Sequence, residues 1–217
     1  MTWQDVTVEE FIEILELQYD DLTPTERILE SIAIITGEDY DDVYDDEIDQ
    51  LVKEYSWLHT NPTSTEALPR YNLLDFGSII SLEQFVTEKP PFQNIDKVCS
   101  LLLQYDDFGR GCDIVKGMDV PTPYAMVQGY LDYRKKLFEN YDDLFTSDEE
   151  EGDDEPDQQD QIQSRWAWTR IVWELTEGDI TKANAVLALP HLMVLNWITM
   201  VKDLKLGQRT QTVSDNS

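Results

Sequence analysis

Residues 146–160 read TSDEEEGDDEPDQQD: nine carboxylates, no base, and no aliphatic or aromatic side chain. Such a run has no apolar surface to bury against its ordering entropy, and its like charges repel. It predicts an extended linker and interrupts any single continuous core. The chain on either side differs in character. Residues 1–145 hold 31 acids and 10 bases, whereas residues 161–217 hold five acids and six bases. The expected organisation is an acidic helical domain at 1–145, a disordered acidic linker at 146–164, a small apolar helical module at 165–207 and a flexible tail at 208–217.

Helix signals dominate the first part, so the expected fold class is mainly α. Thr7-Val8-Glu9-Glu10 is a capping-box pattern, followed by Phe11, Ile12 and Leu15 at helical spacing. Thr23, Pro24 and Glu26 mark a second start, Ile28, Leu29, Ile32 and Ile35 its apolar face, and Gly37 its stop. A third helix is predicted from about Asp41 to Trp57, with a loop over 59–70. Tyr71–Phe76 reads as a short extended piece, and Ser81 as the start of a helix that Pro90-Pro91 ends. Asn94–Tyr105 reads as a helix, 106–120 as a glycine-containing loop and Pro121–Phe145 as the long last helix of this part.

Charge and composition exclude several functions. The 217-residue chain carries 45 acids against 16 bases, net −29. A surface this negative repels phosphate, which argues against direct nucleic-acid binding and against docking on an anionic membrane. No apolar run has the length of a membrane span. The start, MTWQDVTVEE, lacks the basic and apolar regions of a secretory signal, so an intracellular location is expected.

Catalytic signatures are missing as well. Only His59 and His191 occur, and the two cysteines, Cys99 and Cys112, are expected to be reduced. Gly109-Arg110-Gly111 lacks the third glycine of a dinucleotide fingerprint. Asp39, Asp41, Asp42, Asp45 and Asp46 cluster, but a calcium loop starting at Asp39 needs Gly where Tyr44 stands and Glu where Gln50 stands. No enzyme activity, cofactor or metal is expected.

The C-terminal segment is the informative one. Arg165–Thr176 is predicted helical, Ile180–Leu187 a short helix, and Pro190 the start of a helix to about Leu206. Ten of the 16 residues at 191–206 are apolar, more than one buried stripe requires. A segment this short docks on residues 1–145 or on another protein. Its tryptophans and its last helix supply typical anchors of helix recognition. The expected partner-binding residues are Trp166, Trp168, Trp173, Met193, Val194, Trp197, Val201 and Leu204. Leu192, Leu195 and Ile198 form an adjoining stripe for local packing.

The stretches MTWQDVTVEEFIEILEL, RILESIAIITGEDYDDV and GSIISLEQFV, with the C-terminal WELTEGDITKANAVLALPHLMVLNWITMVKDL, resemble phage tail assembly chaperones, in particular those of phages infecting Bacteroidetes. The order of helical domain, acidic linker and apolar extension resembles the long, frameshift-extended form. That resemblance implies a non-enzymatic protein of the host cell cytoplasm. Its helical domain would coat the tape measure protein and its extension would recruit tail tube subunits. Homo-oligomer formation stays open. A virion head–tail adaptor is the alternative reading, and an acidic DNA mimic a third that leaves the apolar segment unexplained.

Overall fold

In a computed structural model of the chain, residues 1–38, 40, 45–145 and 168–214 are described. The fold is all-α, with no β-strand among these residues and only two isolated antiparallel bridges. The expected linker at 146–164, Trp166 and the acids Asp39, Asp41 and Asp42 lie outside the described residues.

Two compact units form. The first comprises Met1–Pro69 and Leu82–Leu131, the second Arg70–Ser81 and the described part of Asp132–Ser217. The packing boundary therefore differs from the composition boundary. The C-terminal segment is not separate from everything before it: its described residues Ile171, Val194 and Leu195 share a core with Phe76 and Leu137. The physical reason is the broad apolar face of the last helix, which a segment of this size cannot cover by itself.

The first unit is built from well-capped helices. Helix α1 (Val8–Glu16) starts at Thr7, whose hydroxyl accepts from the Glu10 amide while the Glu10 carboxylate accepts from the Thr7 amide at 2.7 Å. Helix α2 (Pro24–Thr36) has the same box at Thr23 and Glu26. It ends at Gly37 with φ of +70°, a left-handed conformation suited to glycine. Helix α3 (Asp45–Glu54) ends three residues before the expected Trp57, and a 3-10 turn, Ser56–His59, follows it; positions 41–44 of the expected helix lie outside the described residues. Helix α4 (Phe76–Glu88) and helix α7 (Pro121–Asn140) each contribute to both units. Between them lie α5 (Ile95–Leu102) and α6 (Phe108–Lys116). Val6, Val8, Ile32, Leu82, Ile95, Val98 and Val115 are fully buried. Trp3 stands edge-on to Phe11 and Trp57 and donates its indole N–H to the Thr60 carbonyl at 2.7 Å.

Helix α6 corrects the loop expected at 106–120. Asp107 caps it, its carboxylate accepting from the Arg110 amide at 2.9 Å. Gly111 is a contact point rather than a hinge. A Cβ there would lie 2.2 Å from Ser100 Oγ and 2.9 Å from Tyr105 Cβ. Glycine thus allows α6 to approach the end of α5. Gly111→Ala should destabilise the first unit by about 1–3 kcal/mol. Urea denaturation checks this, and an unchanged midpoint would show that Tyr105 moves aside at no cost.

In the second unit, Tyr71–Leu73 is a 3-10 turn rather than an extended piece, and α4 begins at Phe76, five residues before the Ser81 start expected. Asp75 accepts from the Ser78 amide at 2.6 Å and so caps the helix earlier. Helix α8 (Asp142–Phe145) follows a break in the long helix expected over 121–145. Helix α9 covers 168–175, α10 is Ala183–Leu187, and α11 is His191–Ser214. Helix α11 runs through most of the tail expected to be loose at 208–217. Residues 208–214 contain neither proline nor glycine to stop it.

Candidate functional site

Phe76, Leu137, Ile171, Val194 and Leu195 form the second unit's buried cluster, with Tyr141, Phe145 and Trp168 packed on it. The Trp168 ring lies 5.7 Å from Phe76 and 5.1 Å from Phe145, centre to centre. Of the residues expected to bind a partner, Val194 is therefore a core residue and Trp168, partly buried, packs against that core. Val194 is only 2% exposed.

His191 anchors the start of α11. It is fully buried, its Nδ1 2.7 Å from the Leu74 carbonyl and its Nε2 2.5 Å from the Tyr133 hydroxyl. A carbonyl can only accept, so Nδ1 carries the proton and Nε2 accepts from Tyr133. Backbone bonds from Phe76 N to Leu189 O and from His191 N to Leu74 O complete the join. Burial holds the His191 pKa below its ordinary value, against smaller opposing effects of the Leu74 carbonyl and Asp75. Burial also pushes the Tyr133 hydroxyl up to about 12.

The folded His191 thus takes up a proton at lower pH than the unfolded chain does. Its contribution to stability is complete above about pH 6.5 and is lost as pH falls through the lowered folded value. The melting temperature of the wild type minus that of His191→Gln should decline between pH 7.5 and 5. Using the difference cancels the general relief of charge repulsion on acidification. A pH-independent difference would count against the assignment.

Helix α11 is apolar on two opposite sides. His191, Val194, Leu195 and Ile198, at spacings of three, one and three, face the core. Met193, Trp197, Met200 and Leu204, at spacings of four, three and four, are 57%, 57%, 44% and 60% exposed. On a helix this second set forms one continuous stripe about 16 Å long. Met200 belongs to it and was missed in the sequence, although its spacing from Met193 and Trp197 pointed to it. Val201 lies half-buried at the stripe's edge. Trp173, on α9, is 60% exposed, and its ring packs near Gly178, whose φ is +79°. Of the expected binding residues, Met193, Trp197 and Leu204 thus share a surface. Lys202 points away from the stripe and donates to the Asp143 carbonyl.

The first unit offers a polar cleft of about 540 Å³ bordered by Gln4, Asp5, Ser64, Glu66 and Asp119. Two of its polar side chains have local structural partners. Asp5 accepts from the Thr2 amide at 2.8 Å, and Ser64 pairs with Thr122 at 3.1 Å. Cys99 is buried, its Sγ 3.4 Å from the Pro123 carbonyl, and burial pushes its thiol pKa up. Among the described residues no group of three His, Cys, Asp or Glu side chains is arranged to hold a metal ion, and no helix is long and apolar enough to cross a membrane. No protein-family model matches the chain, and no curated protein or solved structure matches it.

Proposed function

We propose that the chain is a non-enzymatic assembly chaperone whose last helix carries a protein-binding surface. The supporting observation is α11, which leaves Met193, Trp197, Met200 and Leu204 exposed while its opposite side is in the core. Contiguous exposed apolar surface on a folded unit is the ordinary mark of an interaction site. Trp, Met and Leu at three- and four-residue spacing are the anchors of helix recognition. Together with the resemblance to phage tail assembly chaperones, this supports a protein of the infected cell's cytoplasm that shields the tape measure protein and recruits tail tube subunits.

Affinity recovery from infected cells tests the reading. Trp197→Ala combined with Leu204→Asp should abolish recovery of the tail partner while shifting stability by less than about 0.5 kcal/mol, because both side chains are exposed. Unchanged recovery would remove the binding surface from the mechanism. Mass spectrometry of purified particles should lack the chain. A fixed stoichiometric presence there would make it a virion component instead.

A further inference from the structure

Helix α11 has two apolar sides, and something must select the one that packs inward. We infer that the buried imidazole of His191 makes that selection, and so keeps the stripe of Met193, Trp197, Met200 and Leu204 outside. His191 is then a positioning residue, which determines how the stripe is presented whatever the stripe binds.

Apolar area does not make the choice. The inward set, Leu192, Val194, Leu195 and Ile198, carries less apolar surface than the outward set of one tryptophan, two methionines and one leucine. The two sets lie on opposite sides of the helix, so a rotation of roughly half a turn exchanges them. Burial alone favours that exchange.

Hydrogen bonding opposes it. His191 is fully buried, with Nδ1 2.7 Å from the Leu74 carbonyl oxygen and Nε2 2.5 Å from the Tyr133 hydroxyl. One ring nitrogen donates and the other accepts, so the imidazole fits this site in a single orientation. Half a turn of rotation carries the ring away from both atoms, and an unmade buried hydrogen bond costs more than a made one gains. A single buried polar side chain selects one packing of apolar helices in the same way in coiled coils.

Other ties to α11 are weaker selectors. Tyr141 meets Asn196 and Lys202 meets the Asp143 carbonyl at exposed positions, where water replaces a lost partner. The backbone bonds from Phe76 N to Leu189 O and from His191 N to Leu74 O lie at or before the first residue of α11. They fix where the helix starts rather than which side of its later turns faces in.

The test uses the full chain with isotope-labelled methionine methyl groups, observed by nuclear magnetic resonance. A soluble gadolinium chelate broadens the exposed methyls. Met193→Leu and Met200→Leu assign the two signals, and Met126, 3% exposed, is the reference that stays sharp. In the wild type Met193 and Met200 should each give one broadened signal. His191→Leu with Tyr133→Phe removes both side-chain groups, while the Leu74 carbonyl keeps the backbone amide of residue 191. That variant should melt cooperatively and show a second, sharp signal for both methionines in at least about a tenth of the molecules. His191→Gln, whose side-chain amide donates to Leu74 and accepts from Tyr133, should keep the single broadened set.

A single broadened set in the double variant would overturn the inference, because apolar packing would then orient the helix unaided. Two sets in the wild type or in His191→Gln would do the same. A double variant without a cooperative melt would overturn it too, since His191 would then hold the second unit together rather than choose between two competent packings. No partner is present in the experiment, so its outcome is independent of whether the stripe binds one.

Discussion

Phe76→Ala will lower the stability of the second unit by about 3–5 kcal/mol, the usual cost of removing a large aromatic side chain from a packed interior. Phe76 is fully buried, packs in one cluster with Leu137, Ile171, Val194 and Leu195, and contacts the Trp168 ring edge-on. Its backbone amide also donates to the Leu189 carbonyl at 2.8 Å, so collapse around the cavity is restrained. Denaturant titration with hydrogen exchange resolves the effect by unit. Amides of α11 should lose protection, whereas amides of α5 in the first unit should keep it. A loss below about 1 kcal/mol would mean that the cluster repacks freely and is not the element that holds α11.

Truncation after Phe145 should have an even broader effect on the same unit. It removes α9, α10 and α11, and with them Ile171, Val194 and Leu195 from the cluster. Tyr133 loses His191, Tyr141 loses the Asn196 side chain that its hydroxyl meets at 2.7 Å, and the Leu74 carbonyl loses its imidazole partner. Residues 132–145 should then exchange amide hydrogens at near-unfolded rates while 95–102 stay protected. The composition break at Thr146 leads to the opposite expectation, that 1–145 melts as an intact unit. Full protection of 132–145 in the truncated chain would restore that division and make the C-terminal segment an appendage.

Local signals were legible and largely correct. The capping boxes at Thr7/Glu10 and Thr23/Glu26 and the stop at Gly37 involve atoms within four residues of one another, so their chemistry is present in the sequence. The presence of two apolar stripes on the last helix was legible for the same reason: periodicity is a property of neighbours. Helix α6 was misread because glycine at 109 and 111 suggests flexibility when considered locally. Only the packing against Ser100 and Tyr105 gives Gly111 its purpose. The early start of α4 was hidden because Asp75, an acid among 45, is distinguished as a cap only by its bond to Ser78.

By itself the sequence determined the all-α class, the positions of most helices, the strong acidity and an excess of apolar surface on α11. Tertiary structure alone decided which of that surface is used internally. Val194 and Trp168 are as apolar as Met193 and Trp197, but Val194 is buried in the second unit's core and Trp168 packs against it, whereas the latter two stay exposed. That choice depends on joining residues far apart in the chain, such as Leu74 and His191, 117 positions from each other. Caps and periodicity act over a few residues and carry no information about such pairings. Selection among the pairings comes from burying the largest complementary apolar area with its polar groups satisfied, which is a property of the folded whole.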